Sequence, residues 1–341
     1  MAALRPVVPA TGPVADTGVH TVTVVVCAYT ERRWDTLVAA LASLRDQEWP
    51  PDQVVVVVDH NEALLARCRA SFHADVEVVA NRETRGLAGA RNSGIGVATG
   101  DVIAFLDDDA VADPGWLGAL LERFDDPAVA GAGGLVNPLW AGGERPRWFP
   151  PEFDWVVGCS HRGLPEVVAP VRNPIGASMS MRRRLFDELG GFDTAMGRVG
   201  TLPLGCEETE FAVRASQHMA GIVFLHVPQA VVDHHVGPER ARVGYFLRRC
   251  YAEGLSKAAV TRRAGAGDAL SSERHYTAVT LPRAVVAGLV EALRGDPSGA
   301  LRSAMVVAGL AAAGLGYGAS LAVGRFGAGG GGVRSRRRHR G

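Results

Sequence analysis

An excess of charge of either sign is missing from this 341-residue chain. Lys+Arg and Asp+Glu both number 36, so no overall field draws it toward nucleic acid. Paired cysteine spacing is missing too. Of the five cysteines (Cys27, Cys68, Cys159, Cys206 and Cys250) no two stand as CxxC, so neither a zinc motif nor a disulfide framework is indicated. An odd, scattered set fits a reducing compartment. No apolar run follows a basic start between Met1 and His20, so no secretory signal is expected there. What the chain does have is a 47% hydrophobic composition, enough for a sizeable core in one large or two small domains. Its basic residues gather at the end, in Val333-Arg334-Ser335-Arg336-Arg337-Arg338-His339-Arg340.

Four apolar runs of strand length punctuate the first third: 21–27, 54–58, 76–79 and 102–106. Continuous rather than alternating apolar character predicts strands covered on both faces. Helical patterns at 36–44, 62–70 and 88–99 separate them, which predicts an α/β fold with a mostly parallel sheet and ligands at the carboxyl ends of its strands. Residues 137–172, rich in Trp, Pro, Gly and Arg, read as a long loop or small subdomain over the site. Further on, 179–181 reads as a strand, 183–189 as a helix ended by Gly190-Gly191, and 207–219 as another helix. The domain reading is a disordered leader (1–19), a catalytic domain (20–245), a helical extension (246–324) and a basic disordered tail (325–341).

The chemistry concentrates in a few places. Ile103-Ala104-Phe105-Leu106 runs straight into Asp107-Asp108-Asp109. Three adjacent carboxylates repel one another, and a hard cation such as Mg²⁺ or Mn²⁺ would neutralise them while holding a phosphate. Asp59 follows the second strand, and Glu31, after Thr30, follows the first. At such ends a carboxylate meets a ribose or a base, although both residues are also common helix caps. Asn81 to Asn92 contains Gly86, Gly89 and Arg91 at a helix N-terminus that offers free N–H donors to an anion. It carries no Walker lysine and no GxGxxG. Glu207-Glu208-Thr209-Glu210 opens a helix. Its carboxylates complement the helix dipole, and their crowding also suits one of them to act as a general base. Val232-Asp233-His234-His235-Val236 adds two imidazoles after an apolar strand.

Taken in order, these segments resemble the family 2 inverting glycosyltransferases with the GT-A fold. The matching pieces are Val25 to Glu31, Val57-Val58-Asp59, Gly89 to Ile95, Gly100 to Asp109, Gly190-Gly191-Phe192-Asp193 and Glu207 to Arg214, across roughly 21–240. The resemblance implies a Rossmann-like mixed sheet with helices on both faces, followed by a C-terminal helical extension. It implies a nucleotide-sugar donor, a UDP-sugar first, held by Thr30, Glu31, Asp59, Gly89, Arg91, Asp107 and Asp108. It implies Mg²⁺ or Mn²⁺ on Asp107, Asp109 and His234, and a base at Glu208 or Glu207. Where the family has Glu-Asp this chain has Glu207-Glu208, so the choice between them stays open, as does that between His234 and His235. A narrower likeness, carried by Arg172 to Met179 and Gly205 to Glu210, is to the glucosyl-dolichyl-phosphate glucuronosyltransferase-like subgroup. It implies a lipid-linked or cell-envelope glycan acceptor and a donor carboxylate met by Arg91 or Arg172. A sugar-phosphate nucleotidyltransferase and a non-catalytic membrane scaffold are the alternatives.

No charged residue lies between Ser303 and Gly324, a length sufficient to span a bilayer. A single span would carry the basic tail away from a cytoplasmic catalytic domain, against the positive-inside rule. A re-entrant or interfacial helix at the cytoplasmic face of the membrane avoids that conflict. Gly314 and Gly318 form a GxxxG spacing suited to helix packing.

Overall fold

Alternate residues of β1 (Val22–Ala28) feed two separate apolar layers. Val22, Val24, Val26 and Ala28 pack into one and Val25 into the other, which is why the strand reads as continuously apolar. This is seen in a computed structural model that describes residues 20–72, 75–195, 205–264 and 274–327. The leader 1–19 and most of the 325–341 tail lie outside the described residues. β1 lies between β2 (Gln53–Val58) and β4 (Val102–Asp107), with β3 (Glu77–Ala80) beyond β2, all parallel. Helices α1 (Trp34–Arg45), α2 (Glu62–Ser71) and α3 (Leu87–Ile95) make the crossovers. α3 stops short of the expected Thr99, because Ala98 already caps back onto Gly94.

Past β4 the sheet becomes mixed. Among the described residues it has nine strands: β3, β2, β1, β4, β8 (Ser178–Arg182), β6 (Val129–Trp140), β9 (Val223–Val236) and β5 (Ala110–Ala112) in that order, with β7 (Ala169–Val171) also on β9. β8 is antiparallel to both β4 and β6, and all five of its residues are buried. Two long strands carry the second half: β6 and β9 run parallel. A register shift near Pro228 bends β9, so its first half meets β7 and its second half meets β5. The helices on this side are α4 (Trp116–Leu121), α5 (Arg183–Leu189) and α6 (Glu207–His218).

Two expectations are corrected here. The region 137–172 is not loop from its start, because β6 runs on to Trp140. Its glycines conceal it. A Cβ on Gly131 would lie 2.8 Å from the Ser180 carbonyl oxygen, and one on Gly134 would lie 2.0 Å from that of Ala230. Close strand neighbours demand glycine, and glycine erases the strand signal.

The uncharged stretch 303–324 lies within a single helix, but a second apolar helix stands before it. α7 (Val243–Ala264) leads through a π-helical turn (Tyr276–Thr280) to α8 (Leu281–Leu293) and α9 (Ser298–Gly327). A third apolar cluster, including Phe149, Phe153, Phe246, Leu281 and Val306, joins these helices to the sheet domain. Gly254 and Gly316 make the tight contact between α7 and α9. A Cβ there would sit 2.0 Å from the carbonyl oxygens of Ala313 and Tyr251 respectively. Gly314 and Gly318, the expected packing pair, face open space.

Candidate active site

β4 carries Asp107 to the edge of a cavity of about 1810 Å³ that Asp108 and Asp109 also line. The β5–β9 pairing sets what stands opposite. Ala110 is in register with His234, and the His235 backbone N–H donates to the Asp109 carbonyl at 2.7 Å. The strand alternation turns His234 inward and leaves His235 half-buried. His234 Nε2 lies 3.2 Å from Asp109 Oδ1 and 4.0 Å from Asp107 Oδ2. One ligand atom from each of Asp107, Asp109 and His234 fits within 4.8 Å of the others. Two carboxylates and an imidazole suit Mn²⁺ well and Mg²⁺ acceptably.

Two arginines hold the outer side of this cluster. Arg33 donates from Nη1 to Asp108 Oδ1 at 2.7 Å and reaches Asp109 Oδ2 from Nη2 at 3.0 Å, and Arg240 lies 3.5 Å from the same Oδ2. Asp109 Oδ1 is thereby left to face His234. Burial pulls Asp109 upward, but the His234 hydrogen bond and the charges of His234, Arg33 and Arg240 hold it well below the usual carboxylate range. Asp108 goes the other way. Burial raises it to about 7 against the pull of Arg33, with the charge of Asp109 adding to the rise, and its Oδ2 is buried without a partner.

The acidic pair sits across the cavity at the start of α6. Its cap, Cys206, adopts a left-handed backbone (φ 79°), uncommon for a residue with a Cβ and a mark of a strained turn. Arg91, buried on α3, donates from Nη1 to Glu207 Oε1 at 3.2 Å and from Nη2 to the Gly176 carbonyl at 3.1 Å. Its Nη2 is also 3.8 Å from Asp107 Oδ1, so one guanidinium links the Asp cluster to the Glu pair. Gly176 permits this approach, since a Cβ there would sit 2.7 Å from Arg91 Nη2 and 3.1 Å from Glu208 Oε1. Burial and then the neighbouring charge of Glu208 push Glu207 up to about 8, with Arg91 opposing. Glu208 Oε2 is buried and accepts no hydrogen bond.

The remaining sequence-predicted residues serve the walls. Asp59 lines the cavity, but its Oδ1 accepts from Asn81 at 2.6 Å and its Oδ2 from the Gly86 backbone at 3.0 Å, so it orders the 81–86 turn. Thr30 caps a 3-10 turn, and Glu31 accepts from Asn61 at 3.0 Å; neither lines the cavity. Gly89 lets α3 pass the Thr84 carbonyl, 1.9 Å from where a Cβ would be. Arg172 lines the cavity beside Asn173. Sequence reasoning missed Arg33 and Arg240. Arg33 stands two residues after Glu31, but nothing local marks Arg240, which reaches the site only through the β9 register. It also missed the far wall, where Arg249 and Lys257 of α7 and Leu310, Ala313 and Tyr317 of α9 continue the same cavity.

Residues 23–190 match the family model described as glycosyl transferase family 2. The chain is 35% identical over 239 residues to the glucosyl-dolichyl phosphate glucuronosyltransferase of Haloferax volcanii, covering 69% of this chain and 76% of that protein. It is 27% identical to the succinoglycan biosynthesis protein ExoM of Rhizobium meliloti, over 67% of this chain and 71% of that one. Among solved structures it is similar to the mannosyltransferase PcManGT from Pyrobaculum calidifontis, whose structure holds GDP-Man and Mn²⁺. The TM-score is 0.54 with 20% identity, over 86% of each chain, a likeness of fold.

Proposed function

The chain belongs to glycosyl transferase family 2, a glycosyltransferase of GT-A fold, and from that premise we propose that it moves a sugar from a nucleotide-diphosphate donor to the hydroxyl of a lipid-linked acceptor, with inversion. One observation carries the reading: the Asp cluster, the Glu pair and the apolar α9 wall all line one cavity. Family membership sets aside the nucleotidyltransferase and scaffold alternatives.

Asp107, Asp109 and His234 would hold Mn²⁺ or Mg²⁺, which would supply neutralisation of the charge developing on the departing diphosphate. Arg33 and Arg240 keep Asp109 ionised and aimed. Glu208, whose Oε2 has no partner, takes the proton of the acceptor hydroxyl as it attacks the anomeric carbon. Arg91, bonded to Glu207 and the Gly176 carbonyl, places its positive charge beside that carboxylate. Arg91 and Arg172 both line the cavity, and one of them meets the carboxylate of a uronate donor.

The lipid side follows from α8 and α9. Tyr276–Leu293 and Ser298–Ala322 are each long and apolar enough to cross a membrane, yet the turn between the helices is tied to the sheet domain. Arg147 lies 3.2 Å from Asp296 Oδ1, and Arg302 donates to the Arg147 carbonyl at 3.1 Å. A spanning hairpin would carry that turn a bilayer's width away. The pair lies flat on the domain instead, with Val286, Leu289, Leu293, Leu301 and Leu315 facing outward. We therefore favour an interfacial hairpin at the cytoplasmic face, which keeps catalytic domain and basic tail on one side.

The test is nucleotide diphosphate release from a panel of nucleotide sugars, with Mn²⁺ and a polyprenyl-phosphate glycan as acceptor. Release that depends on acceptor and metal is expected. No release with any donor overturns the reading.

A further inference from the structure

His234 makes a contact behind the metal cluster that the reaction scheme leaves unused. Its Nε2 faces Asp109, while its Nδ1 lies 3.6 Å from the Sγ of Cys159. Both residues are buried, at 1% and 0% exposure, away from bulk water. Gly158, in a left-handed conformation (φ 87°) at the end of the 3-10 helix Pro151–Val157, turns the chain so that Cys159 stands there. The thiol has a second partner, the Val157 carbonyl, 4.0 Å away.

A neutral imidazole carries one N–H. Without metal, that proton belongs on Nε2, where Asp109 accepts it, and Nδ1 must then receive a hydrogen bond. With metal on Nε2 the proton must sit on Nδ1, and Nδ1 must then donate. A carbonyl or carboxylate partner can only accept, so it serves the second state alone. A thiol serves both. We propose that Cys159 is a positioning residue for the metal site, whose thiol hydrogen-bonds His234 Nδ1 in both tautomers. In the metal-free site S–H donates to Nδ1. In the loaded site Nδ1–H donates to Sγ while S–H turns to Val157. The metal displaces the Nε2 proton to bulk water, and one proton taken up from bulk water as the site opens to load reaches Nδ1, so the imidazole and the thiol both stay neutral and no net proton is released. The inference rests on the metal reading of Asp107, Asp109 and His234.

The test is Mn²⁺ titration of the purified full-length chain in detergent, read by the electron paramagnetic resonance signal of free Mn²⁺. Cys159→Val keeps the bulk but neither donates nor accepts, and Cys159→Ser keeps both functions. Loss of a partner behind a metal ligand typically weakens affinity 10- to 100-fold, so a loss of about that size is expected in Cys159→Val, with Cys159→Ser within a few-fold of the unmodified chain. Melting temperature checks folding, and Cys159→Ala replaces the Val variant if that one melts early. Unchanged affinity in Cys159→Val with weakened His234→Ala overturns this inference alone. Equal losses in the Ser and Val variants overturn the two-way hydrogen bond. No Mn²⁺ binding by the unmodified chain overturns the metal reading itself, and this inference with it.

Discussion

Glu207 and Glu208 are adjacent in sequence and alike in chemistry, yet their surroundings separate them. Arg91 holds Glu207, whereas one oxygen of Glu208 has no partner. Glu208→Gln should therefore bind donor as before and lose roughly 10²- to 10⁴-fold in kcat, the scale for a missing general base. Steady-state kinetics beside donor titration checks this, and full activity would move the base to Glu207. The pair also sets the pH response. With Glu207 raised to about 8 by burial and by Glu208, the folded chain holds a proton that the unfolded chain releases near 4.5. Its stabilising contribution is complete below the lower value and is lost as pH rises through about 8. Glu207→Gln should flatten that loss in melting curves taken from pH 5 to 9. Among the aspartates, Asp107 is partly exposed, whereas Asp109 also anchors Arg33 and Arg240. Asp107→Asn should weaken Mn²⁺ binding at least tenfold at unchanged melting temperature. Asp109→Asn should lower both, with a stability loss of order 3 kcal/mol for a broken buried ion network.

At the scale of elements, register does what side-chain chemistry cannot. β5 is only three residues long, but its pairing with β9 chooses His234 over His235 and brings Arg240 within reach of Asp109. Helix packing shapes the opposite wall. α9 approaches α7 closely because Gly254 and Gly316 present no side chain at the crossing. Gly316→Leu would drive a side chain into the Tyr251 carbonyl, and overpacking of this kind costs about 1 to 3 kcal/mol. A lowered melting temperature and a weakened KM for lipid-linked acceptor are expected. Gly318→Leu, at a position open to its surroundings and off the cavity lining, should change neither by as much.

For the whole molecule, the question is how a catalytic domain meets a substrate held in a bilayer. Leu289, Leu293 and Leu315 are 49%, 89% and 70% exposed on the outer face of α8 and α9. Full insertion of such a side chain is worth about 1.5 to 3 kcal/mol, or about tenfold or more in partitioning for each. Replacing all three with Ser should release most of the protein from liposomes in a flotation assay, while turnover of a short-chain soluble acceptor persists. Flotation equal to the unmodified chain would overturn the interfacial reading. Cutting the chain before α8 is the wrong experiment, because it strips Leu281 and Val306 from a core shared with Phe153 and Phe246.

The first half of the fold was legible in the sequence because parallel strands buried on both faces leave unbroken apolar runs, as in Val54 to Val58, and the helices between them keep their own period. The Asp cluster and the Glu pair were legible for a related reason: adjacent carboxylates after a buried strand or at a helix start are conspicuous against their neighbours. The sequence also determined that a long uncharged stretch, 303–324, precedes the basic tail. Only the tertiary structure decided that β6 is a strand, since its glycines answer to neighbours distant in sequence. Only it decided that Asp59 orders a turn, that Arg91 joins the two acidic clusters across the cavity, and that α9 walls the site. Each of these depends on a contact between residues far apart along the chain, and a single sequence records the residues of such a contact without recording that they meet.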